Sequence, residues 1–321
     1  MAMLAQDPAC TTPKVASAGG PMPKGSNTVV LRWLGVSNYE LSYRDQVILF
    51  DTFSSRVWPA RPLGVLPSEF KRANAAFFGH GHWDHIADAP DIAKQTGAKM
   101  YGGPPSTEWL EKEGVPSAQL VTWKGGESAK FNGFTVQAIH ASHAGGRPEP
   151  VNKMMDLYEQ LVPQFYGRPQ TAEEQAATQR LRRRGAGGPR ISSEGTLTYL
   201  ITFDNGFRIV YADTAGAITA EQKAALASVP RTDVGIVPYT GRFNTTLQNT
   251  ESIPIVETFK PRVVLPSHHE DETGIGAHYD MPIYPLGIAV RDKFPDARTI
   301  APLYLSALCF DTHSKEFFVG R

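Results

Sequence analysis

The stretch Phe78-Gly79-His80-Gly81-His82-Trp83-Asp84-His85 decides the fold of this chain. It ends an apolar, strand-like run, residues 75–78, and places three imidazoles and one carboxylate within six positions. Burying such groups without partners would cost several kcal/mol, so they are not ordinary core residues. On a loop at the end of a strand, His80 and His82 can face one metal ion while Asp84 and His85 face a second. Two ions need more ligands than this stretch provides.

Three later segments end strand-like runs with further histidine or aspartate side chains. The segments read QAIHASHAGG, RIVYADTAG and VVLPSHHED, and their candidate ligands are His140, His143, Asp213, His268 and His269. Seven of the nine histidines of the chain lie in these segments or in the first stretch. This concentration predicts a binuclear metal site. The residues alone leave open which histidine of each later pair binds metal.

The composition excludes several classes of function. Lys and Arg number 32 and Asp and Glu number 32, so the formal charge is zero and a polybasic nucleic-acid or membrane binder is not expected. Apolar residues make up 41% of the chain, as in globular proteins, and no apolar run approaches the ~18 residues of a membrane span. We therefore predict a small-molecule substrate as the partner, with no nucleic acid and no integral membrane segment.

Two cysteines, Cys10 and Cys309, are present. They are too few for a disulfide scaffold or for a zinc site built from thiolates. Any metal must therefore be held by histidine and carboxylate side chains.

Residues 1–27 are rich in Ala, Pro, Gly and Ser and show no hydrophobic periodicity, so we predict a flexible tail. The tail resembles the stalk that remains after an export signal is removed. This favours an exported or periplasmic protein with a processed N-terminus over a cytoplasmic one, although an ordinary disordered terminus has the same composition.

Strand-like runs alternate with helical segments beyond residue 28. The runs cover residues 28–51 as two paired strands, then 75–78, 119–123, 134–140, 196–203, 207–211, 234–238, 263–266 and 303–309. Thr171 with Glu174, and Thr219 with Gln222, form capping-box patterns that predict the first turns of two helices. The alternation predicts one layered α/β or α+β domain over residues 28–321.

At this point the sequence resembles the metallo-β-lactamase superfamily, in which an H-x-H-x-D-H motif is followed by a separate His, an Asp and a final His. The order His82, His143, Asp213 and His268 follows that pattern. The strings LRWLGVSNYEL, ILFDTF, IHASHAG, IVYADTAG, IVPYTGRFNTT and VVLPSHHE look most like the L-ascorbate-6-phosphate lactonase-like branch, which includes the N-acyl-phosphatidylethanolamine phospholipase D type. The resemblance covers residues 29 to about 288 except 146–194. It implies a four-layer αβ/βα sandwich with the metal site on one edge and a helical insertion, about 146–194, between the third and fourth metal motifs.

The resemblance also implies a ligand set. The first metal takes His80, His82 and His143, the second takes Asp84, His85 and His268, and Asp213 bridges the two. His140 and His269 are the second choices in their pairs. Asp84 and Asp213 are the predicted catalytic residues, and Asp51 matches a family aspartate that orients a ligand histidine.

Such a centre would hold two divalent ions about 3.5 to 4 Å apart, which lower the pKa of a bridging water towards 7 and polarise the bond that the resulting hydroxide attacks. The predicted reaction is the hydrolysis of a lactone or ester. Imidazole and carboxylate ligands favour Zn²⁺ and also accept Mn²⁺, Fe²⁺ or Co²⁺. The chain has no G-x-S-x-G string, so a serine nucleophile is not expected.

Substrate contacts are predicted at two places. The string VNKMMDLYEQLV in the insertion carries a helical apolar stripe that includes Met154 and Tyr158 and could roof the metals, or else only pack on the core. In the family, the segment that matches Tyr239 and Arg242 borders the active site. His269 takes a place where the family commonly has an aromatic residue.

Two other functions remain open from sequence. A metal-dependent phosphodiesterase or phospholipase D-like enzyme, or a phosphotriester hydrolase, is favoured if the Met-rich stripe binds acyl chains and the arginines of residues 180–190 bind phosphate. A non-catalytic metal-binding module is disfavoured because all seven ligand positions are occupied by ligand residues.

Overall fold

A computed structural model describes residues 2–60, 64–144, 153, 157, 160–161, 163–164, 167–225, 227, 231–239, 245–270 and 283–320. In these residues two mixed β-sheets lie against each other. One sheet has the strand order β15-β14-β1-β2-β3-β4-β5-β6, and the other has the order β13-β12-β11-β10-β9-β8-β7. The strands are β1 Thr28–Gly35, β2 Asn38–Tyr43, β3 Gln46–Phe50, β4 Ala75–Phe77, β5 Lys99–Gly102, β6 Leu120–Thr122, β7 Ser128–Phe131, β8 Phe134–His140, β9 Leu197–Phe203, β10 Arg208–Tyr211, β11 Val234–Pro238, β12 Val263–Ser267, β13 Arg298–Thr299, β14 Ala307–Asp311 and β15 Phe317–Val319.

Helices cover the outer faces of both sheets. They are α1 Ala2–Gln6, α2 Pro8–Thr11, α3 Trp83–Ile86, α4 Ala89–Thr96, α5 Pro104–Lys112, α6 Ala172–Arg182, α7 Arg190–Glu194, α8 Ala220–Ala225, α9 Thr245–Phe259 and α10 Tyr284–Lys293. Apolar residues of α4 and α5 pack on the first sheet, and those of α9 and α10 pack on the second. The layers are therefore helix, sheet, sheet and helix, which confirms the predicted four-layer α/β architecture.

The main core lies between the two sheets. Alternating apolar residues turn one face of each strand inward, as expected for strands with one face in a core. Large rings from both sheets meet there, for example Phe77 of β4 and Tyr199 of β9, whose centroids are 5.1 Å apart. Neighbouring strands β3, β4 and β5 are parallel, as are β10, β11 and β12. Their carboxyl ends supply loops to one edge of the sandwich.

Both predicted capping boxes are present. Thr171 Oγ1 accepts from the N–H of Glu174 and begins α6, while Thr219 and Gln222 exchange the corresponding pair of bonds at the start of α8. The described part of the insertion thus contains α6 and α7. Met154 and Tyr158 lie outside the described residues.

The N-terminal segment differs from the predicted flexible tail. Its described residues form α1, α2 and a short 3₁₀ turn, and Leu4, Ala9 and Ala16 are buried. Cys10 forms a disulfide with Cys309 of β14. The composition concealed this packing because the segment makes its contacts with residues that are distant in sequence.

A buried ion pair on the first sheet is covered by this segment. Arg32 and Glu40 face each other across β1 and β2, with both side chains fully buried. Glu40 accepts from the N–H groups of Ala16 and Ser17 at 2.7 Å, and Arg32 donates to the carbonyl of Thr12 at 3.0 Å. Removing the segment would strip these hydrogen bonds from two buried charges, which is strongly unfavourable.

Among the described residues, no helix combines the length and the apolar character that crossing a membrane requires.

Candidate metal centre

The predicted ligands are carried by loops that follow four strands at the same edge of the sandwich. The H-x-H-x-D-H stretch follows β4 and continues into α3, so that Asp84 and His85 lie on the first turns of that helix. His143 follows β8, Asp213 follows β10 and His268 follows β12. Residues more than 180 positions apart in the chain, such as Asp84 and His268, are thereby brought into contact.

The first group consists of His80, His82 and His143. Nε2 of His80 lies 3.0 Å from Nδ1 of His82 and 3.2 Å from Nε2 of His143. All three nitrogens lie within 4.8 Å of one another. His80 is buried, whereas His82 and His143 are partly exposed, so solvent reaches this group through the latter two.

The second group consists of Asp84, His85 and His268. Oδ2 of Asp84 lies 3.2 Å from Nε2 of His268 and 3.6 Å from Nε2 of His85. Three candidate ligand atoms of this group also lie within 4.8 Å of one another. The structure therefore brings together two groups with the same membership that the sequence predicts for the two metals.

A buried carboxylate lies behind one histidine of each group. Oδ2 of Asp213 lies 2.6 Å from Nδ1 of His80, on the ring edge opposite Nε2. Oδ2 of Asp51 lies 2.6 Å from Nδ1 of His85. Asp51, which the resemblance assigns to orienting a histidine, has the position that this role requires.

The protonation equilibria of the first group favour neutral imidazoles. Burial, together with the charge of neighbouring histidines, lowers the pKa of His82 to about 4 and the pKa of His80 well below its usual value. Burial also lowers the pKa of His143. Metal ligands must be deprotonated, so these imidazoles have free lone pairs at neutral pH.

The second group differs because carboxylates surround its histidine. Burial lowers the pKa of His85, but the charges of Asp84 and Asp51 outweigh burial and raise it to about 10. Burial raises the pKa of Asp51 to about 7, although the charge of His85 opposes this. The second group is thus a cation-attracting site, because its carboxylates stabilise positive charge at the position of the histidine.

These donors fit divalent metal ions. Oδ1 of Asp213 is buried and has no hydrogen-bond partner among the described residues, although a buried carboxylate oxygen normally has one. A metal ion would satisfy it. Each group offers three imidazole or carboxylate donors, and such a set suits Zn²⁺ and related first-row ions.

The turn that carries His268 is held by a cluster that the sequence did not indicate. The N–H of His268 donates to the carbonyl of Val36 at 2.6 Å, and the N–H of Val36 donates to Glu270 Oε1 at 2.8 Å. Arg56 pairs with the same oxygen of Glu270 at 2.5 Å. Val36 has φ of 47° and His268 has φ of 56°, and such values are strained for residues other than glycine. Strained backbone that is held by buried polar contacts is common at functional sites.

The second-choice histidines lie away from both groups. Nε2 of His140 lies 3.3 Å from the carbonyl of Ser193. His269 is buried and stacks on Trp33 with ring centroids 4.0 Å apart, and burial lowers its pKa to about 3. His269 therefore packs in the interior, which differs from the substrate contact predicted for it.

Tyr239 also differs from its predicted substrate contact. Its side chain is fully buried in the apolar cluster between the second sheet and helices α9 and α10. Burial raises its pKa to about 12. The family string predicted a substrate contact for Tyr239, but its side chain turns into this apolar cluster. Arg242 lies outside the described residues.

The end of the insertion touches the metal-binding loop. The N–H of Ala186 donates to the carbonyl of Gly81 at 2.7 Å. A Cβ on Gly185 would lie 2.6 Å from the nitrogen of Trp83, so only glycine allows this close approach. Leu181 of α6 packs with Trp83 and Phe53 in a separate apolar cluster beside the loop.

Comparisons with known proteins give one consistent fold. The family model described as a beta-lactamase superfamily domain matches residues 46–158. A UPF0173 metal-dependent hydrolase of Myxococcus xanthus is 25% identical over 260 residues, which cover 80% of this chain and 76% of that protein. The metallo hydrolase Igni18 of Ignicoccus hospitalis has a TM-score of 0.58 at 17% identity, covering 88% of this chain and 98% of that one. CmlA, a diiron beta-hydroxylase from Streptomyces venezuelae, has a TM-score of 0.54 at 12% identity, covering 90% of this chain and 55% of that one.

Proposed function

We propose that this chain, which is similar to proteins of the metallo-β-lactamase superfamily, is a metal-dependent hydrolase that cleaves a lactone or ester. The observation that carries this proposal is the convergence of seven candidate ligands from four loops at one edge of the sandwich. They are His80, His82, Asp84, His85, His143, Asp213 and His268. Relatives named as metal-dependent hydrolases support the same reaction class.

Two divalent ions, with Zn²⁺ the first choice and Mn²⁺, Fe²⁺ or Co²⁺ the others, would be held by these side chains. When bound, such ions supply hydroxide near neutral pH and polarise a carbonyl oxygen. The imidazoles of His80, His82 and His143 would hold one ion, and Asp84, His85 and His268 would hold the other. Oδ2 of Asp213 contacts Nδ1 of His80, and its Oδ1 would be the atom that binds the metals. Water then adds across the acyl C–O bond to give a carboxylic acid and an alcohol.

The ion pairs of three arginines support an uncharged carbonyl substrate over a phosphate ester. Arg56 is paired with Glu270, Arg184 lies 3.1 Å from Asp91, and Arg190 binds Glu108. These arginines already have carboxylate partners, so a phosphate would compete with an existing ion pair. A neutral ester needs no such cation.

Two chromogenic esters with the same leaving group test this choice. p-Nitrophenyl butyrate and bis(p-nitrophenyl) phosphate both release p-nitrophenolate, so one absorbance measurement compares acyl and phosphoryl transfer directly. We expect faster hydrolysis of the carboxylate ester by Zn²⁺-loaded protein, and loss of both activities after chelation. Faster hydrolysis of the phosphodiester would favour the phosphodiesterase alternative, and full activity without metal would contradict the proposal.

The insertion is proposed to select the substrate, because its end rests directly on the metal-binding loop. Gly185→Ala should push residues 185–186 away from Gly81 and Trp83, since the new Cβ would meet backbone atoms of the loop. Gly187→Ala is the matched control, because a Cβ there meets nothing within 4 Å. We expect KM or chain-length preference to change in Gly185→Ala alone, with metal content equal in both variants. Equal kinetics in the two variants would contradict a role of the insertion in substrate selection.

An exported or periplasmic location is also proposed. The disulfide between Cys10 and Cys309 supports it, because such bonds persist in oxidising compartments and are rare in the cytosol. Thiol alkylation before cell lysis, followed by mass measurement of the intact chain, would distinguish the oxidised from the reduced form.

A further inference from the structure

Tyr211 lies behind the second metal group, at a position to which the ligand pattern gives no role. It is the last residue of β10, and Asp213 follows two positions later in the loop after the strand. The residue is fully buried, and its ring lies 4.7 Å from that of Phe50. Its hydroxyl lies 2.6 Å from Oδ2 of Asp51 and 3.0 Å from the carbonyl of Ser37.

A phenol has one proton, so Tyr211 can donate to only one of these two acceptors. The carboxylate of Asp51 is the nearer acceptor, and a hydrogen bond to a charged acceptor is roughly twice as strong as one between neutral groups. We propose that Tyr211 is a positioning residue, which donates to Asp51 and thereby holds His85 with its Nε2 directed at the metal. The inference rests on the proposed metal centre and is independent of the substrate.

A chain of contacts connects the phenol of Tyr211 to the second group of candidate ligands. Oδ2 of Asp51 accepts from both Tyr211 and Nδ1 of His85, each at 2.6 Å, while Oδ1 lies 3.3 Å from the N–H of Gly79. The other nitrogen of His85 lies 3.6 Å from Asp84. Without the phenol, Oδ2 would keep a single donor and the carboxylate could rotate about its Cβ–Cγ bond. His85 would then lose its fixed orientation.

The test compares Tyr211→Phe with Tyr199→Phe. Tyr199 lies opposite Tyr211 in the register of β9 and β10, is equally buried, and donates to the backbone carbonyl of Phe78 at 2.8 Å. Both substitutions delete one buried hydroxyl, so they control for the loss of stability. Only Tyr211 touches the carboxylate behind a candidate ligand.

The readout is Co²⁺ binding in competition with a chromophoric chelator, together with the visible absorption of the bound ion. In Tyr211→Phe we expect the affinity for one of the two ions to fall about tenfold, the lower end of the range for partners behind a metal ligand, and the absorption bands to shift. In Tyr199→Phe the affinity for each ion should stay within about twofold of the wild-type value, and the absorption bands should not shift.

A double-mutant cycle shows whether Tyr211 acts through Asp51. In an Asp51→Ala background, Tyr211→Phe should produce no further loss of Co²⁺ affinity, because the path is already broken. Equal additional losses in the two backgrounds would overturn the inference, as would an unchanged affinity in Tyr211→Phe while the wild type binds two ions. A wild-type protein that binds no Co²⁺ would instead overturn the proposed function itself.

Discussion

The two carboxylates behind the histidine groups look alike but are supported differently. Asp51 and Asp213 each lie 2.6 Å from Nδ1 of a histidine, and both are fully buried. Asp51 also accepts from Tyr211 and lies near the N–H of Gly79, so both of its oxygens have partners. Asp213 has one oxygen without a partner among the described residues.

This difference predicts a supporting role for Asp51 and a ligand role for Asp213. A buried oxygen without a hydrogen bond loses about 1–3 kcal/mol of solvation, so its retention needs a reason such as an ion. A carboxylate with all its partners in the protein can only orient its histidine. The hydrogen-bond partners therefore distinguish two aspartates that both follow strands in the sequence and look interchangeable there.

The largest effect is expected from Asp213→Asn. The amide keeps the shape of the side chain but removes the charge that offsets two divalent ions, which contribute several kcal/mol to transition-state stabilisation. Activity should fall by about 1,000-fold or more, and elemental analysis should find fewer than two ions per chain. If the Asp213→Asn variant kept its activity and its full metal content, Asp213 would have the supporting role and the contrast with Asp51 would disappear.

The next largest effect is expected from His143→Ala, and it distinguishes His143 from His140 as the candidate metal ligand. His143→Ala removes a nitrogen that lies 3.2 Å from Nε2 of His80, so we expect loss of one ion and about a 100-fold decrease in activity. His140→Ala is the matched control, because His140 contacts Ser193 instead. The opposite pattern, with metal lost only in His140→Ala, would reverse the ligand assignment of the first group.

A smaller effect is expected from Asp51→Asn. The amide can still accept from Nδ1 of His85 but attracts the imidazole less strongly, and partners of this kind are worth about 10- to 100-fold in metal affinity or activity. Chelator competition should show tighter binding of one ion than of the other, with Asp51→Asn weakening one step only. If Asp51→Asn and Asp213→Asn lost equal amounts of both ions, the two carboxylates would have the same role.

The smallest effect on the metals is expected from Glu270→Gln. Glu270 supports His268 through the backbone of Val36, and the neutral amide leaves Arg56 with an uncompensated buried charge. Breaking such a pair costs about 3–5 kcal/mol, so the melting temperature should fall clearly. Metal affinity should decrease only a fewfold, since the ligand itself is unchanged. Unaltered stability would show that the Arg56 pair is not needed to hold this turn.

Sequence patterns predicted most of the frame of the molecule. The strands that carry ligands, β4, β8, β10 and β12, were recognisable because they combine apolar runs with a polar residue at the carboxyl end. The two capping boxes were found because their signal spans only four residues. Strands β5, β7, β13 and β15 were not predicted, because they are short or half-exposed and lack a distinct apolar pattern. Residues 28–51 form three strands, where two were predicted.

The errors have a common cause. The order of the packed N-terminal segment depends on Glu40, Arg32 and Cys309, which bind residues at least 20 positions away from them in sequence. His269 and Tyr239 lie in the predicted segments, but their side chains turn into apolar clusters. Local patterns show which segment reaches the site, whereas the direction of each side chain is decided by tertiary packing.

The bond between Cys10 and Cys309 has a topological consequence, since it closes a covalent ring around nearly the whole polypeptide. A protease that cuts one peptide bond in a surface loop of the ring would open it without producing two separate molecules. Both parts would stay covalently linked through the Cys10–Cys309 bond, which joins α2 to β14 of the first sheet. A single cut would therefore leave the loops that carry the histidines tethered to one another, and the cut would be visible on a denaturing gel only after reduction.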